Sequence, residues 1–291
     1  MNIGLTGATG FIGQRIIDLA LRRGHEIIAF SRNPERRISG CTMRRFSLDA
    51  PPDLEDCEAV IHLAGESVVG LWTAAKKRRI RESRILGTRR IVEAINASAQ
   101  PPEVLVCASG TGLYGDHGDR EIDEQFPGGQ GFLADVVREW EAEALRARTS
   151  RVVLLRTSMV LGKGGGALGA MAPIFRTGLG GQLGTGQQWV PWIHLEDEAM
   201  LGIFAAENLD VRGPLNACAP WPVRNRELTE LLAKRLRRPA FFRVPAFALR
   251  PLGDFARELL ESKRVVPAAA TEHGFRFRFP DLDSALKDLF P

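Results

Sequence analysis

One stretch near the start of the chain, Gly7-Ala8-Thr9-Gly10-Phe11-Ile12-Gly13, constrains the fold more than any other. It follows a short apolar run, Ile3 to Thr6. It leads into Phe11 to Arg23, where Ile12, Ile16, Leu19 and Ala20 recur at helical spacing before Gly24. A loop between a strand and a helix receives the unpaired N–H groups of the first helical turn and the positive end of the helix dipole. The first glycine permits a tight turn, the second lets a pyrophosphate approach the backbone, and the third lets helix and strand pack closely. The pattern therefore predicts a dinucleotide held by Gly7, Thr9, Gly10, Phe11 and Ile12.

The following sequence alternates in the same way. Glu26 to Phe30, Ala59 to Leu63, Val104 to Ala108 and Val152 to Arg156 are short apolar runs. Helical patterns lie between them at Arg79 to Ala97 and Ala134 to Arg148. Continuous apolar strands alternating with helices predict an α/β fold, a Rossmann doubly wound parallel sheet covered on both faces. From Gly162 onward glycine accumulates and the elements shorten, with clear helices only at Asn225 to Leu236 and Leu282 to Phe290 and proline-punctuated ones at Ala246 to Ser262. Residues 1–164 are read as the nucleotide-binding domain, and 165–291 as a smaller, mostly helical substrate-covering region. Core strands are expected to return from 165–220. The glycines from Gly164 to Gly186 suit a hinged lid.

The end of the second strand selects the cofactor. An NAD site places an acid there for the ribose 2′-hydroxyl. This chain has Phe30-Ser31-Arg32-Asn33, with a hydroxyl and a guanidinium suited to a 2′-phosphate. NADP(H) is expected in preference to NAD(H).

Composition excludes several other classes. The net charge is +4, but the basic residues are spread along the chain and accompany no nucleic-acid module, so no nucleic acid is expected as a partner. No apolar stretch is long enough to span a bilayer, and no membrane partner is expected. The opening residues read as a strand rather than a signal peptide, and the cysteines (Cys41, Cys57, Cys107, Cys218) lack paired metal-ligand spacing. A cytoplasmic protein with reduced thiols and no metal site is expected.

More of the chain carries a pattern in order: His62-Leu63-Ala64-Gly65-Glu66, Trp72 with Lys76, and Ser83-Arg84-Ile85. It continues with Ser109 to Gly115 around Tyr114, Leu155-Arg156-Thr157, Gly178 to Gly181, Trp192-Ile193-His194 with Asp197, Asn216, and Gly274 to Phe277. With these the chain resembles the extended short-chain dehydrogenase/reductase superfamily. More narrowly, it is similar to an atypical NAD(P)-dependent epimerase/dehydratase-like branch with a small C-terminal domain, sometimes labelled cell-division-inhibitor-like. The resemblance implies that Leu63, Ala64 and Gly65 pass the cofactor after the fourth strand. It also implies that Arg84 reaches the cofactor or an anionic substrate.

The departures from that superfamily concern chemistry. Its active members carry Tyr-x-x-x-Lys, in which the lysine tunes a proton-exchanging phenol. The matching helix here reads Phe132-Leu133-Ala134-Asp135-Val136. The only tyrosine of the chain, Tyr114, with Ser109 and Thr111 before it, is the remaining candidate set for proton transfer. Glu66 is read as a ribose ligand or helix cap at the pocket mouth, and His194 as a structural residue. The expected partner is a small-molecule substrate, anionic if Lys76 and Arg84 face the cleft. The rival reading is a non-catalytic NADPH-binding regulatory protein, motivated by the missing dyad.

Overall fold

The apolar runs become parallel strands in the computed structural model, which describes all 291 residues. They are β1 (Asn2–Thr6), β2 (Glu26–Ser31), β3 (Cys41–Arg45), β4 (Ala59–His62), β5 (Val104–Gly110), β6 (Arg151–Thr157) and β7 (Gly213–Ala217). Their order in the sheet is β3-β2-β1-β4-β5-β6-β7, and every neighbouring pair is parallel. The chain moves outward from β1 in one direction through β2 and β3, then in the other from β4. At that switch point the loops leaving β1 and β4 diverge and leave a crevice above the strand ends.

The helices are α1 (Phe11–Arg22), α2 (Ala74–Ala97), α3 (Phe132–Ala144), α4 (Gly166–Arg176), α5 (Leu195–Glu207), α6 (Asn225–Leu236), α7 (Asp254–Leu260), α8 (Ala268–Glu272) and α9 (Leu282–Leu289). Successive strand residues point to opposite faces, so a doubly covered sheet needs apolar residues at both parities. Strand β5 meets that need. Val104 and Val106 join Ile16 and Leu201 under α1 and α5, while Leu105 and Cys107 join Ile91 and Trp140 under α2 and α3. Each such aliphatic side chain, buried in full, contributes about 1.5–3 kcal/mol. A separate apolar cluster, including Leu168, Phe175, Leu232 and Leu286, holds α4, α6 and α9 together.

The structure differs from the sequence expectation in several places, first in helices α4 and α5, which lie in the stretch after Gly162 where no clear helix was expected. Strand β3 was not expected, because Cys41-Thr42-Met43-Arg44-Arg45 is a half-exposed polar edge strand without an apolar run. Helix α2 begins five residues before Arg79, because the Thr73 hydroxyl accepts the Lys76 N–H at 3.2 Å and caps it. Pro251 and Gly253 (φ 61°) divide the 246–262 stretch into a 3-10 segment, Ala246–Leu252, and α7.

The glycines after β6 have a steric role that a lid would not require. The Phe11 ring lies under the turn before α4, and a Cβ would come within 2.7 Å of it at Gly162, 2.6 Å at Gly165 and 2.8 Å at Gly166. Gly165 has an ordinary extended backbone, so replacement there tests packing alone. Gly165→Ala should destabilise the protein by about 1–3 kcal/mol through overpacking, and adding Phe11→Leu should restore most of it. Urea midpoints for the two single variants and the double variant check this, and an additive result would contradict the contact.

Candidate nucleotide-binding cleft

The β1–α1 loop is shaped by atoms that leave no room for side chains. Gly7 has φ 72°, and a Cβ on it would stand 3.0 Å from the Leu63 carbonyl carbon. A Cβ on Gly13 would stand 2.2 Å from the Gly7 carbonyl oxygen, so the helix sits directly against its own entry loop. Helix α1 has no side-chain cap and no acid in its first turn, which leaves its N–H groups and dipole available to an anion. Thr6 joins this loop to the neighbouring one. Its hydroxyl accepts the Leu63 and Ala64 N–H groups, both at 3.1 Å, and meets Nδ1 of the buried His62 at 2.7 Å. Burial pushes the His62 imidazole down to about 4, so the ring is neutral and serves as a fixed strut.

At the end of β2, Arg32 is exposed and its guanidinium meets no protein acceptor. The Ser31 hydroxyl accepts the Asn33 N–H at 3.1 Å. The unexpected strand β3 adds a further cation, because Arg45 is the register partner of Ser31. Parallel neighbours lie about 4.8 Å apart, so Ser31, Arg32 and Arg45 share one corner. Sequence reasoning missed Arg45 for lack of a strand signal around it.

The loop after β4 is braced from α2. The Ser83 hydroxyl accepts the Glu66 N–H at 3.0 Å, and Arg84 donates to the Glu66 carbonyl at 2.9 Å. Arg84 also lies over the Trp140 ring at 5.1 Å, and burial brings its guanidinium down to about 10. It therefore backs Gly65, whose Cβ would come 3.4 Å from the guanidinium carbon. The Glu66 carboxylate meets Lys76 Nζ at 2.7 Å, with Arg79 at 3.6 Å. The Lys76 hydrogen bond holds that carboxyl below the usual carboxylate range. Glu66 is thus an ionised, paired acid at the rim and caps no helix.

The α3 residues expected to stand at the Tyr-x-x-x-Lys positions, Phe132 and Val136, are packed among apolar neighbours. Val136 is buried with Trp72 and Ile80, and the Phe132 ring meets the Trp72 indole edge-on at 5.2 Å. Phe255 covers the indole from the C-terminal region at 5.5 Å. Beside this cluster lies a cleft of about 160 Å³, lined by Trp72, Gly112, Phe132, Arg257 and Glu258 among others. Trp72 is the tryptophan at the cleft. Trp192 is buried, and the Trp189 indole N–H is bonded to Asp119 at 2.7 Å. Asp135 is exposed and paired with Arg138.

The three candidate proton-transfer residues do not face that cleft. Tyr114 is wholly buried. Its hydroxyl donates to Asn216 Oδ1 at 2.7 Å and accepts from Arg156 at 2.9 Å. Burial raises the phenol above its ordinary value, which disfavours the phenolate. Ser109 donates to Glu141 at 2.5 Å, and Glu141 holds Arg156 in a two-pronged pair at 2.8 Å on each prong. Thr111 is buried and donates to the Thr157 carbonyl at 3.5 Å. This geometry corrects the candidacy of Tyr114, Ser109 and Thr111 for proton transfer and matches a packing and hydrogen-bonding role for Tyr114. The hydroxyls belong to a buried ionic network that fixes β5, β6 and β7 together.

At the start of α5 a histidine caps the helix, one buried acid fastens the C-terminal segment and a second is bonded to β6. His194 Nδ1 accepts the Glu196 N–H at 3.1 Å and caps α5, while Asp197 accepts the Arg278 and Phe279 N–H groups at 2.8 and 2.9 Å. Glu198 is wholly buried and accepts the Thr157 hydroxyl at 2.7 Å, and burial lifts its carboxyl to about 8. An unfolded glutamate ionises near 4.5, so between there and about 8 the folded chain holds a proton that the unfolded chain has lost. Its contribution to stability is complete below that window and is lost as pH rises through it. Glu198→Gln should flatten this fall and raise the urea midpoint above pH 8, while leaving the two proteins alike below 4.5. Parallel midpoint curves across the window would contradict the assignment.

The sequence and fold match known proteins along the whole chain. The NAD dependent epimerase/dehydratase family model matches residues 3–218, and a domain of unknown function, DUF1731, matches residues 244–289. The chloroplastic SDR39U1 homologue of Arabidopsis thaliana, an epimerase family protein, is 38% identical over 299 residues, covering 99% of this chain and 86% of its own. Epimerase family protein SDR39U1 of Mus musculus is 37% identical over 297 residues, covering 99% of both. The crystal structure of the human epimerase family protein SDR39U1 (isoform 2) with NADPH superposes with a TM-score of 0.92 at 35% identity, covering 99% of each chain. A parallel sheet with its switch-point crevice, an uncapped helix on a glycine loop and these whole-length matches agree, and the chain belongs to the NAD dependent epimerase/dehydratase family.

Proposed function

We propose that this chain binds NADP(H) in the switch-point crevice and acts as an oxidoreductase- or epimerase-like protein on a small-molecule substrate. One observation carries the cofactor reading: the strand-end corner of Ser31, Arg32 and Arg45 holds cations without protein partners, where an NAD site would hold an acid. The uncapped α1 and the tight Gly7–Gly13 cradle fit the pyrophosphate. The human relative was crystallised with NADPH, which supports the same choice. Gly7, Thr9, Gly10, Phe11 and Ile12 would hold the pyrophosphate, and Ser31, Arg32 and Arg45 the 2′-phosphate. Leu63, Ala64, Gly65 and Glu66 would line the ribose side, with Arg84 bracing them. Bound NADP(H) supplies or accepts a hydride.

Thermal unfolding tests the cofactor reading. A ligand at one hundred times its dissociation constant stabilises the native state by about 2.7 kcal/mol. NADPH should raise the midpoint well above the value with NADH or no ligand. Equal shifts from both nucleotides would remove the 2′-phosphate reading. The expectation of an anionic substrate rested on Lys76 and Arg84 facing the cleft, but Lys76 is paired with Glu66 and Arg84 is bonded behind Gly65, so neither cation is free for a substrate.

The second reading, a non-catalytic NADPH-binding regulator, draws on the apolar filling of the α3 positions by Phe132 and Val136. Oxidation of bound NADPH by any member of a panel of small keto acids would favour the enzyme. No change in nicotinamide absorbance across the panel would favour the regulator.

A further inference from the structure

The C-terminal region carries a surface that the nucleotide cleft does not use. From Leu231 to Gly253 the chain contains Lys234, Arg235, Arg237, Arg238, Arg243 and Arg250 and no acid. Within the same stretch Phe241, Phe242 and Phe247 are 89%, 53% and 66% exposed. Aromatic residues this open cost hydration free energy in a folded chain, and three of them within seven residues mark a candidate contact surface.

The fold brings Phe242 beside a second segment with exposed apolar residues. Strand Phe242–Val244 pairs with Gly181–Leu183, with Phe242 opposite Gly181. Two residues before Gly181 is Leu179, 61% exposed, and Gly178 abuts Pro239. Ile174, 55% exposed, lies on the last turn of α4 just before them. The apolar face therefore runs across two chain segments.

Its cations are unspent. Arg235 is paired with Asp283 at 2.6 Å. Arg237, Arg238, Arg243 and Arg250, with Arg176 on α4, form no ion pair or side-chain hydrogen bond. Exposed phenylalanines among unpaired arginines match the two parts of a bilayer interface, acyl boundary and phosphate headgroup. A partner protein of ordinary surface composition offers no such excess of negative charge beside an apolar layer.

We propose that this surface docks the protein peripherally on anionic membranes, with Phe241, Phe242 and Phe247 entering the interface and the arginines contacting lipid phosphates. This departs from the expectation that the chain has no membrane partner. It involves no span, since no helix of the chain is long and apolar enough to cross a membrane. No residue of this surface belongs to the glycine loop or the Ser31–Arg45 corner, so the proposal does not rest on the cofactor reading.

Co-sedimentation of the full chain with phosphatidylcholine vesicles, with and without phosphatidylserine, tests it. The protein should pellet with the phosphatidylserine vesicles only, and high salt should release it. Arg237→Glu/Arg238→Glu should weaken binding by roughly fivefold or more per residue. Phe241→Ser/Phe242→Ser should weaken it by about tenfold or more, because the interfacial anchor is lost. Both double variants alter exposed positions, and retained far-ultraviolet dichroism and an unchanged unfolding midpoint would show that they fold.

Absence of binding to phosphatidylserine vesicles would overturn the proposal, as would binding that the phenylalanine variant leaves intact. Soluble polyglutamate provides the other arm. If it binds the wild type and the phenylalanine variant equally and blocks the vesicles fully, the surface is an acidic-polypeptide site and the membrane assignment fails.

Discussion

Gly13→Ala is expected to weaken dinucleotide binding severely, with affinity down by about 100-fold or more and the fold weakened by about 3 kcal/mol. The new methyl would lie 2.2 Å from the Gly7 carbonyl oxygen, 2.9 Å from its carbon and 3.0 Å from the Ala8 Cα. All three are backbone atoms, so no rotamer change relieves the clash. Either α1 tilts away from the sheet or the loop leaves its cradle, and both displace the N–H groups aimed at the pyrophosphate. Gly169→Ala on α4 is the matched control, because nothing lies within 4 Å of its Cβ position. There helix propensity alone acts, and stability should rise by up to about 1 kcal/mol. NADPH titration and urea unfolding of both variants check the pair, and near-normal NADPH binding by Gly13→Ala would contradict the cradle geometry.

The second large effect is expected from the buried pair beneath Tyr114. Arg156 and Glu141 are 7% and 8% exposed and bonded at two points. Arg156→Met leaves the Glu141 carboxylate buried with only the Ser109 hydroxyl, and removes the donor to the Tyr114 oxygen. Removing one partner of a buried pair costs about 3–5 kcal/mol, because the remaining charge is uncompensated. Arg156→Met/Glu141→Leu should recover much of that loss, since neither charge then stays behind. Urea unfolding of the single and double variants decides the matter. A loss under about 1 kcal/mol for Arg156→Met would mean that water reaches the pair.

These two sites also separate what the sequence makes legible from what it hides. The β1–α1–β2 unit was readable because its signals are local: an apolar run, glycines at the turn and helical spacing within one stretch. Strand β3 was not, because an edge strand exposes much of its surface and needs no apolar alternation. Arg45 was hidden with it. The start of α2 was obscured by the Lys76–Arg79 run, which reads as a solvated face although Lys76 turns inward to Glu66. Tyr114 was found as a residue and misplaced in environment, since Arg156 and Asn216 come from 42 and 102 residues further along the chain. Burial by distant strands has no local signature. The glycines of 162–166 were visible, but their cause, the Phe11 ring, was again remote.

The central claim is that an unpaired arginine corner, rather than an acid, closes the ribose end of the crevice. Calorimetric titration of NADPH and NADH into the wild type and Arg32→Ala measures it most directly. The wild type should bind NADPH with clear preference, and Arg32→Ala should lose most of that preference, about tenfold or more for a charge-assisted phosphate contact, while its NADH affinity stays constant. Equal affinities of the wild type for the two nucleotides, or an undiminished NADPH preference in Arg32→Ala, would contradict it.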